Sequence, residues 1–491
     1  MDSNDITRRR VISTLGAAGT IALAGCGGDG GDGGDGGDGG DGSDGGDGGD
    51  GGSGSDGGSG GDGSDGSDGG DGGDTASRPD AEVRIGMVQP QSGALGPYGN
   101  IALRGFYTYF GYAGADIPSE VGTGETEFTL GDTTYIVDVR DSQGASGEAQ
   151  SQATDLVQNA GADIIAGGTS SASATAIANN VAKRSNVPYM AGPAASVSLT
   201  GSEANCGETV YRASETVAMD AQSGGRYIAN ARDDINSVYI YYADYSFGES
   251  VFNNYKRVLE ANGVTVSGSQ ALPADYSDDW PGQFENATNA GVDAIIGGFT
   301  VAALPAMLGT YLANDYDFRF VGGFATKIAA GAFGQVLNNN LDELTAESIE
   351  SAGLGPLTTR YHWNQYDNEM NTQANQVHRD AYGTNADLFT SGLFTAASAI
   401  DQAVTESGSA NGDDIREALK GMSVNTTMKG EGGYQFQEWN NQARSAMTVA
   451  PAIPTQNSEY WNAAIQPGDP VQTYAPEETT QPKDQQSCDL S

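Results

Sequence analysis

The sequence predicts an α/β protein built as two doubly wound parallel-sheet lobes joined by a multi-crossing hinge. Three observations predict this class. From about residue 80, continuous apolar runs of four to eight residues alternate with helical segments, the pattern of parallel strands covered on both faces. The alternation runs twice with one grammar, over 80–213 and again over 218–322. Beyond residue 354 the strands give way to long helical stretches that most economically return over the first lobe.

The elements follow in order. The chain opens Thr7-Arg8-Arg9-Arg10-Val11-Ile12 and continues apolar to Ala24. A twin-arginine start before a short apolar core marks an export signal over 1–25. The core is too short to span a bilayer, which needs about 20 residues. Leu23-Ala24-Gly25-Cys26 resembles the lipobox of a bacterial or archaeal lipoprotein. Cys26 is then the lipid attachment, with a chance cysteine in an ordinary cleaved signal as the alternative. Gly27–Asp74 contains only Gly, Asp and Ser. With nothing apolar to bury, it cannot offset its chain entropy. Residues 26–79 are therefore expected to be a disordered tether, a coil spanning roughly 40 Å or more. Its Gly-Gly-Asp repeats lack the apolar residue per turn that a calcium-binding β-roll requires, so no metal is expected there.

Strands are expected at Glu82–Pro90, Tyr135–Asp141, Ala162–Gly167 and Val187–Ala191, with helices at Tyr98–Tyr112, Gly147–Asn159 and Ser171–Ser185. The second lobe repeats the pattern. Its helices are expected at Met219–Ala231, Gly248–Asn262, Trp280–Ala290 and Ala303–Asn314. Its strands are expected at Ser237–Tyr242, Val264–Ser269, Val292–Gly297 and Phe318–Gly322. A long helical stretch, Gln373–Gly408, and a further helix, Asp413–Met422, complete the body. The expected division is 80–217 plus 363–446 for lobe 1 and 218–362 plus 447–491 for lobe 2 and a C-terminal tail.

The formal net charge is -42. Only 14 of the acidic residues lie in the tether, so the body itself is strongly acidic. Such an excess excludes a general nucleic-acid surface, because phosphate contacts need Lys and Arg. It would self-repel in dilute salt, and with only six lysines it resembles proteins of salt-loving archaea. Apart from Cys26, the cysteines are Cys206 and Cys488. In an exported protein they form a disulfide or remain two buried thiols. No enzyme signature stands out. The two histidines, His362 and His378, form no HExxH, and there is no CxxC or Walker loop. Asn286-Ala287-Thr288 and Asn425-Thr426-Thr427 match the glycosylation sequon.

Several strand-end loops carry a family resemblance. Pro90-Gln91-Ser92-Gly93 with Tyr98-Gly99, Gly167-Gly168-Thr169-Ser170-Ser171, and Pro193-Ala194-Ala195-Ser196 resemble the first three ligand loops of the periplasmic leucine/isoleucine/valine-binding proteins. Tyr211-Arg212, Asp244-Tyr245-Ser246-Phe247-Gly248, Gly297-Gly298-Phe299, Tyr382-Gly383 and Gly432–Asn441 continue the likeness, which covers about 82–450. The resemblance implies the type I periplasmic binding protein fold, an extracytoplasmic solute-binding role in an ABC importer, no cofactor and no catalysis. The implied ligand is a branched-chain amino acid or related small carboxylate. The implied partners are permease subunits and, through Cys26, the outer face of the cell membrane. A ligand-sensing receptor domain of the same fold is the alternative.

Free backbone N–H groups and hydroxyls at helix starts suit a carboxylate. By resemblance, Ser170 and Ser196 donate hydroxyls and Ala194 offers backbone, with Ser92 and Ser171 beside them. The serines also suit plain helix caps. The second-lobe wall departs from the family. The acidic partner of an amino acid's ammonium is matched by Phe324, and two tyrosines by Phe247 and Phe299, with Tyr245 nearby. With Tyr98 from lobe 1, that wall is apolar, and an ammonium against it loses hydration without a partner. Either an acid such as Asp244 moves in, or the ligand lacks the ammonium.

Overall fold

The computed structural model describes residues 78–323 and 325–491. The export signal, Cys26, almost all of the tether and Phe324 lie outside the described residues. The first sheet contains β1 (Ala81–Gln89), β2 (Gly124–Leu130), β3 (Thr133–Asp141), β4 (Ile164–Gly167), β5 (Tyr189–Ala191) and β6 (Val210–Arg212) in the order β2-β3-β1-β4-β5-β6. All neighbours are parallel except the hairpin β2–β3. The second sheet contains β7 (Ser237–Ala243), β8 (Thr265–Leu272), β9 (Ala294–Gly298) and β10 (Arg319–Val321), all parallel, in the order β10-β9-β7-β8. In each sheet the strand order reverses beside the first strand, at β1/β4 and at β7/β9. Such reversals open a crevice at the carboxyl ends of the strands.

Side-chain alternation explains why both sheets are covered twice. Val83, Ile85 and Met87 face the helices Gly96–Tyr112 and Leu388–Ser407, where Phe106, Phe110, Leu393 and Phe394 are buried. Val88 and Ile165 point the other way, onto Ala153, Leu156 and Ile177. In the second sheet Tyr239, Tyr241 and Ile295 pack on Trp280, Phe284 and Met307, while Val238, Ile240 and Ile296 pack on Val251, Val258 and Leu259. The helices Gly96–Tyr112 and Leu388–Ser407 approach closely at Gly105. A Cβ there would lie 2.0 Å from the Thr390 carbonyl oxygen, so a larger residue would push the helices apart.

The structure corrects several sequence expectations. The expected helical stretch 373–408 is two helices, Glu369–Tyr382 and Leu388–Ser407. Gly383 ends the first in the left-handed region, and the Asp387 side chain caps the second. The edge strand β2 was not expected. Its sequence GETEFTL buries only Phe128 and Leu130, so no continuous apolar run announces it. The helix Lys327–Asn340 was also not expected, nor were the short antiparallel strands, among them Leu357–Thr359 paired with Met447–Ala450.

Before its C-terminal tail, the chain passes between the two packed layers three times. It leaves the first sheet after Arg212 and enters the second layer at Val217. It returns through Leu357–Thr359 to Tyr361, and passes again through Met447–Ala450 to Ala452. The tail ends back on the first-sheet side, where Cys488 is joined to Cys206 with a Cα–Cα distance of 6.1 Å.

Candidate functional site

A cavity of about 1280 Å³, counting its solvent-open part, lies where the two crevices face each other. The first body contributes Tyr98, Thr169, Ser170, Ser171, Pro193 and Phe389. The second contributes Tyr245, Phe247, Val251, Tyr255, Phe299 and Phe320. Glycine pairs shape both sides. Gly167 and Gly168 leave β4 with φ of 104° and 83°, and Gly322 and Gly323 leave β10 with φ of 74° and 78°. A Cβ on Gly167 would lie 2.4 Å from the Val88 carbonyl oxygen, so only glycine lets the loop turn toward the cavity.

Hydrogen bonds join the bodies across the crevice, three of them as follows. The Tyr98 hydroxyl accepts from the Val301 N–H at 3.1 Å. Ser250 Oγ accepts from the Val197 N–H at 3.2 Å. Asp387 Oδ2 accepts from the Lys327 N–H at 2.9 Å, while its Oδ1 caps Phe389 and Thr390. These bonds hold the two bodies to each other at the crevice.

Seven of the ten residues expected at the site can be placed against the wall or its support. Tyr98, Ser170, Ser171, Tyr245, Phe247 and Phe299 line the cavity. Burial pushes the Tyr98 and Tyr245 hydroxyls up to about 12, so both stay neutral. Phe299 is held edge-on by Trp280 at 5.6 Å, and Tyr98 by Phe389 at 5.1 Å. Ser196 stands behind the wall rather than on it. Its N–H donates to Ser171 Oγ at 3.1 Å, and its hydroxyl meets Ser198 Oγ at 3.0 Å.

The remaining three stand apart. Ala194 is not among the lining residues; its N–H goes to the Gly192 carbonyl and its carbonyl to Arg212. Ser92 is exposed and donates to Asp141 Oδ2 at 2.5 Å. Phe324 lies outside the described residues. Asp244 is exposed and does not line the cavity. Ser170 also acts as a cap, its Oγ accepting from Ser173 N–H at 3.5 Å.

Two residues that sequence reasoning missed carry the only formal charges among the described lining residues, Asp220 and Arg360. Each is 1% exposed. Arg360 Nε donates to both Asp220 oxygens, at 2.9 and 3.2 Å, and its Nη2 donates to Oδ2. Burial pushes the Asp220 carboxyl up against the pull of Arg360. Neighbouring residues in sequence give no signal for the pair, because 140 positions separate the partners. Thr169 was also passed over; its hydroxyl donates to Gln89 Oε1 at 2.7 Å. Neither histidine lines the cavity. His362 packs on Trp461 at 4.7 Å, and His378 Nδ1 lies 2.8 Å from Thr108 Oγ1.

Among the described residues, no cluster of His, Cys, Asp or Glu could hold a metal ion, and no helix is long and apolar enough to cross a membrane. The arrangement can enclose a small solute between an apolar wall and a hydroxyl-bearing one.

The family model described as periplasmic binding protein matches residues 82–456. No curated protein matches the chain in sequence. Among solved structures, the chain is similar to a solute binding protein of an ABC transporter from Rhodopseudomonas palustris in complex with 3,4-dihydroxybenzoic acid. The identity is 16% and the TM-score 0.64, covering 80% of this chain and 98% of that one. It is similar to an amino acid ABC transporter substrate-binding protein from Pseudomonas fluorescens at 16% identity and TM-score 0.67, covering 83% and 99%. It is also similar to an ABC-type branched-chain amino acid transporter from Rhodopseudomonas palustris at 20% identity and TM-score 0.61, covering 82% and 98%. At these identities the likeness establishes the shared fold.

Proposed function

The chain belongs to the periplasmic binding protein family, and from that premise we propose that it is the extracytoplasmic solute-binding component of an ABC import system. The observation that carries this reading is the cavity shared by the switch-point crevices of both sheets. A solute there touches both bodies only when they are closed, so binding favours closure. The closed form is then what a membrane permease meets. The role is capture and delivery, without chemistry on the solute. The Leu23–Cys26 lipobox supports lipid anchoring at Cys26, with the Gly/Asp segment as tether and the twin-arginine segment as export signal. The acidic excess supports a surface suited to concentrated salt.

The proposed ligand is a small carboxylate with an apolar or aromatic body. The carboxylate would meet the hydroxyls of Thr169, Ser170 and Ser171, and the body would rest on Phe247, Phe299 and Phe389. Among the described lining residues the only acid is Asp220, already committed to Arg360. An ammonium would therefore lose its hydration without a partner, which is costly in a buried site.

A thermal-shift screen of 4-methylpentanoate, benzoate, 4-hydroxybenzoate and leucine, followed by calorimetry, tests this. We expect one-to-one binding, tighter for the simple acids than for leucine. Ser170→Ala with Ser171→Ala should weaken it by about tenfold, in line with the loss of one or two hydrogen bonds to a charged group. Undiminished affinity in the double variant would remove the proposed carboxylate contact.

A further inference from the structure

The three chain crossings meet around a buried set of charges that the solute reading does not use. Arg212 and Glu215 lie on the first crossing and Asp220 just beyond it. Arg360 lies on the second, and Lys429 reaches the third. Arg212, Glu215, Asp220 and Arg360 are each no more than 1% exposed, and the Lys429 side chain is 2% exposed. Two ion pairs are formed. Asp220 takes Arg360. Glu215 Oε1 accepts from Lys429 Nζ at 2.6 Å, from Tyr434 OH at 2.5 Å and from Ser445 Oγ at 3.1 Å. Lys429 Nζ also donates to Ser445 Oγ and the Ala446 carbonyl.

Arg212 is the odd member. All of its hydrogen-bond acceptors are neutral: Gln442 Oε1 at 2.6 Å, the carbonyls of Ala194 and Ser196 at 2.8 and 2.6 Å, and Thr200 Oγ1 at 2.6 Å. The set therefore holds three cations against two carboxylates. Burial and the like charge of Arg360 lower the Arg212 guanidinium to about 9, which leaves it charged at neutral pH. The charges sense one another: Arg360 acts on Arg212, Glu215 and Lys429, and Glu215 acts on Asp220. The other buried carboxylate near the crevice, Asp387, is held by the backbone N–H groups of Lys327, Phe389 and Thr390 and feels the Lys327 charge.

The unpaired cation, Arg212, stands behind the wall, while Arg360, paired with Asp220, is the one cation among the cavity's described lining residues. A unit charge acts far more strongly across such an interior than across water. We propose that this hinge cluster makes the cavity select a monoanion, with Arg360 meeting the solute's carboxylate side and Asp220 positioning it, while Arg212, Glu215 and Lys429 set the potential from behind the wall. This rests on the solute-binding reading above and adds its charge rule. A monoanion neutralises the surplus, a neutral isostere gains nothing from it, and a cation is repelled.

The test pairs each acid with its amide, 4-methylpentanoate against 4-methylpentanamide and benzoate against benzamide, by calorimetry on the wild type at fixed salt. We expect each acid to bind at least about tenfold more tightly than its amide. Glu215→Gln, which adds one net positive charge, should tighten the acid severalfold, and Lys429→Met should weaken it severalfold, each leaving amide affinity in place. Packing damage would instead weaken acid and amide together. Equal affinity of acid and amide in the wild type, or variants that move both equally, overturns the charge rule while solute binding stands. No binding of either acid or either amide overturns the solute reading beneath it, and the charge rule with it.

Discussion

Replacing Asp220 by alanine is expected to destabilise the folded protein by roughly 3–5 kcal/mol, the usual penalty for removing one partner of a buried ion pair. The size follows from where the pair sits. Asp220 and Arg360 are both 1% exposed and joined through two guanidinium nitrogens. They tie the helix that begins at Val217 to the returning chain at Arg360, so two crossings are fastened at one point. Alanine leaves the guanidinium buried without its carboxylate, and water has little access to replace it. The double replacement Asp220→Leu with Arg360→Met removes both charges and is expected to recover most of the loss, since apolar groups of similar volume often match a buried pair. Urea unfolding of the wild type, the single and the double variant measures this. A single-variant loss under about 1 kcal/mol, the range of exposed pairs, would show that the pair does not fasten the hinge.

The second large effect is on pH. Burial lowers His362 to about 4, against an opposing bond to Asn364. Burial, then the charges of Arg104, Lys327 and Arg379, lower His378 to about 3. Both rings are neutral in the fold and gain a proton on unfolding below about pH 6.5. The unfolded state binds more protons, so stability is fully present above the unfolded value and falls as pH drops toward the folded values. Each histidine contributes about 1.4 kcal/mol per pH unit in that window. We expect these two rings to take up two protons on unfolding between about pH 6 and 4, a loss of roughly 3 kcal/mol per unit from them that the raised carboxyls of Asp220 and Asp387 partly offset. Chemical unfolding at several pH values reads the slope directly. His362→Gln with His378→Gln should flatten it even if the variant starts less stable. A slope that the double variant leaves unchanged contradicts the assignment.

Much of the architecture was legible because it depends on local pattern. Runs such as Ile164–Gly167 and Ala294–Gly298 are apolar on both faces, and their alternation with helices leaves few topologies open. Elements that lack such a signal escaped. The strand Gly124–Leu130 has one wet face, and the hinge strand Leu357–Thr359 is too short to show a period. The cavity divides the same way. Ser170, Ser171, Phe247 and Phe299 could be read because they follow strand ends within one lobe. Ser92 and Ala194 were drawn in by loop resemblance, but their polar groups are spent on Asp141 and on the Gly192 loop. Asp220 and Arg360 were illegible because their meaning is a contact between crossings, which no window of sequence contains.

The claim beneath the whole account is that one small solute sits between the two bodies, and the crystal structure of a complex with the tightest acid from the screen tests it most directly. The account predicts a single molecule enclosed by Tyr98 and Phe389 on one side and Phe247 and Phe299 on the other, its carboxylate toward Ser170, Ser171 and Arg360. A molecule bound at the outer surface, with the space between those aromatic rings left to water, would contradict it.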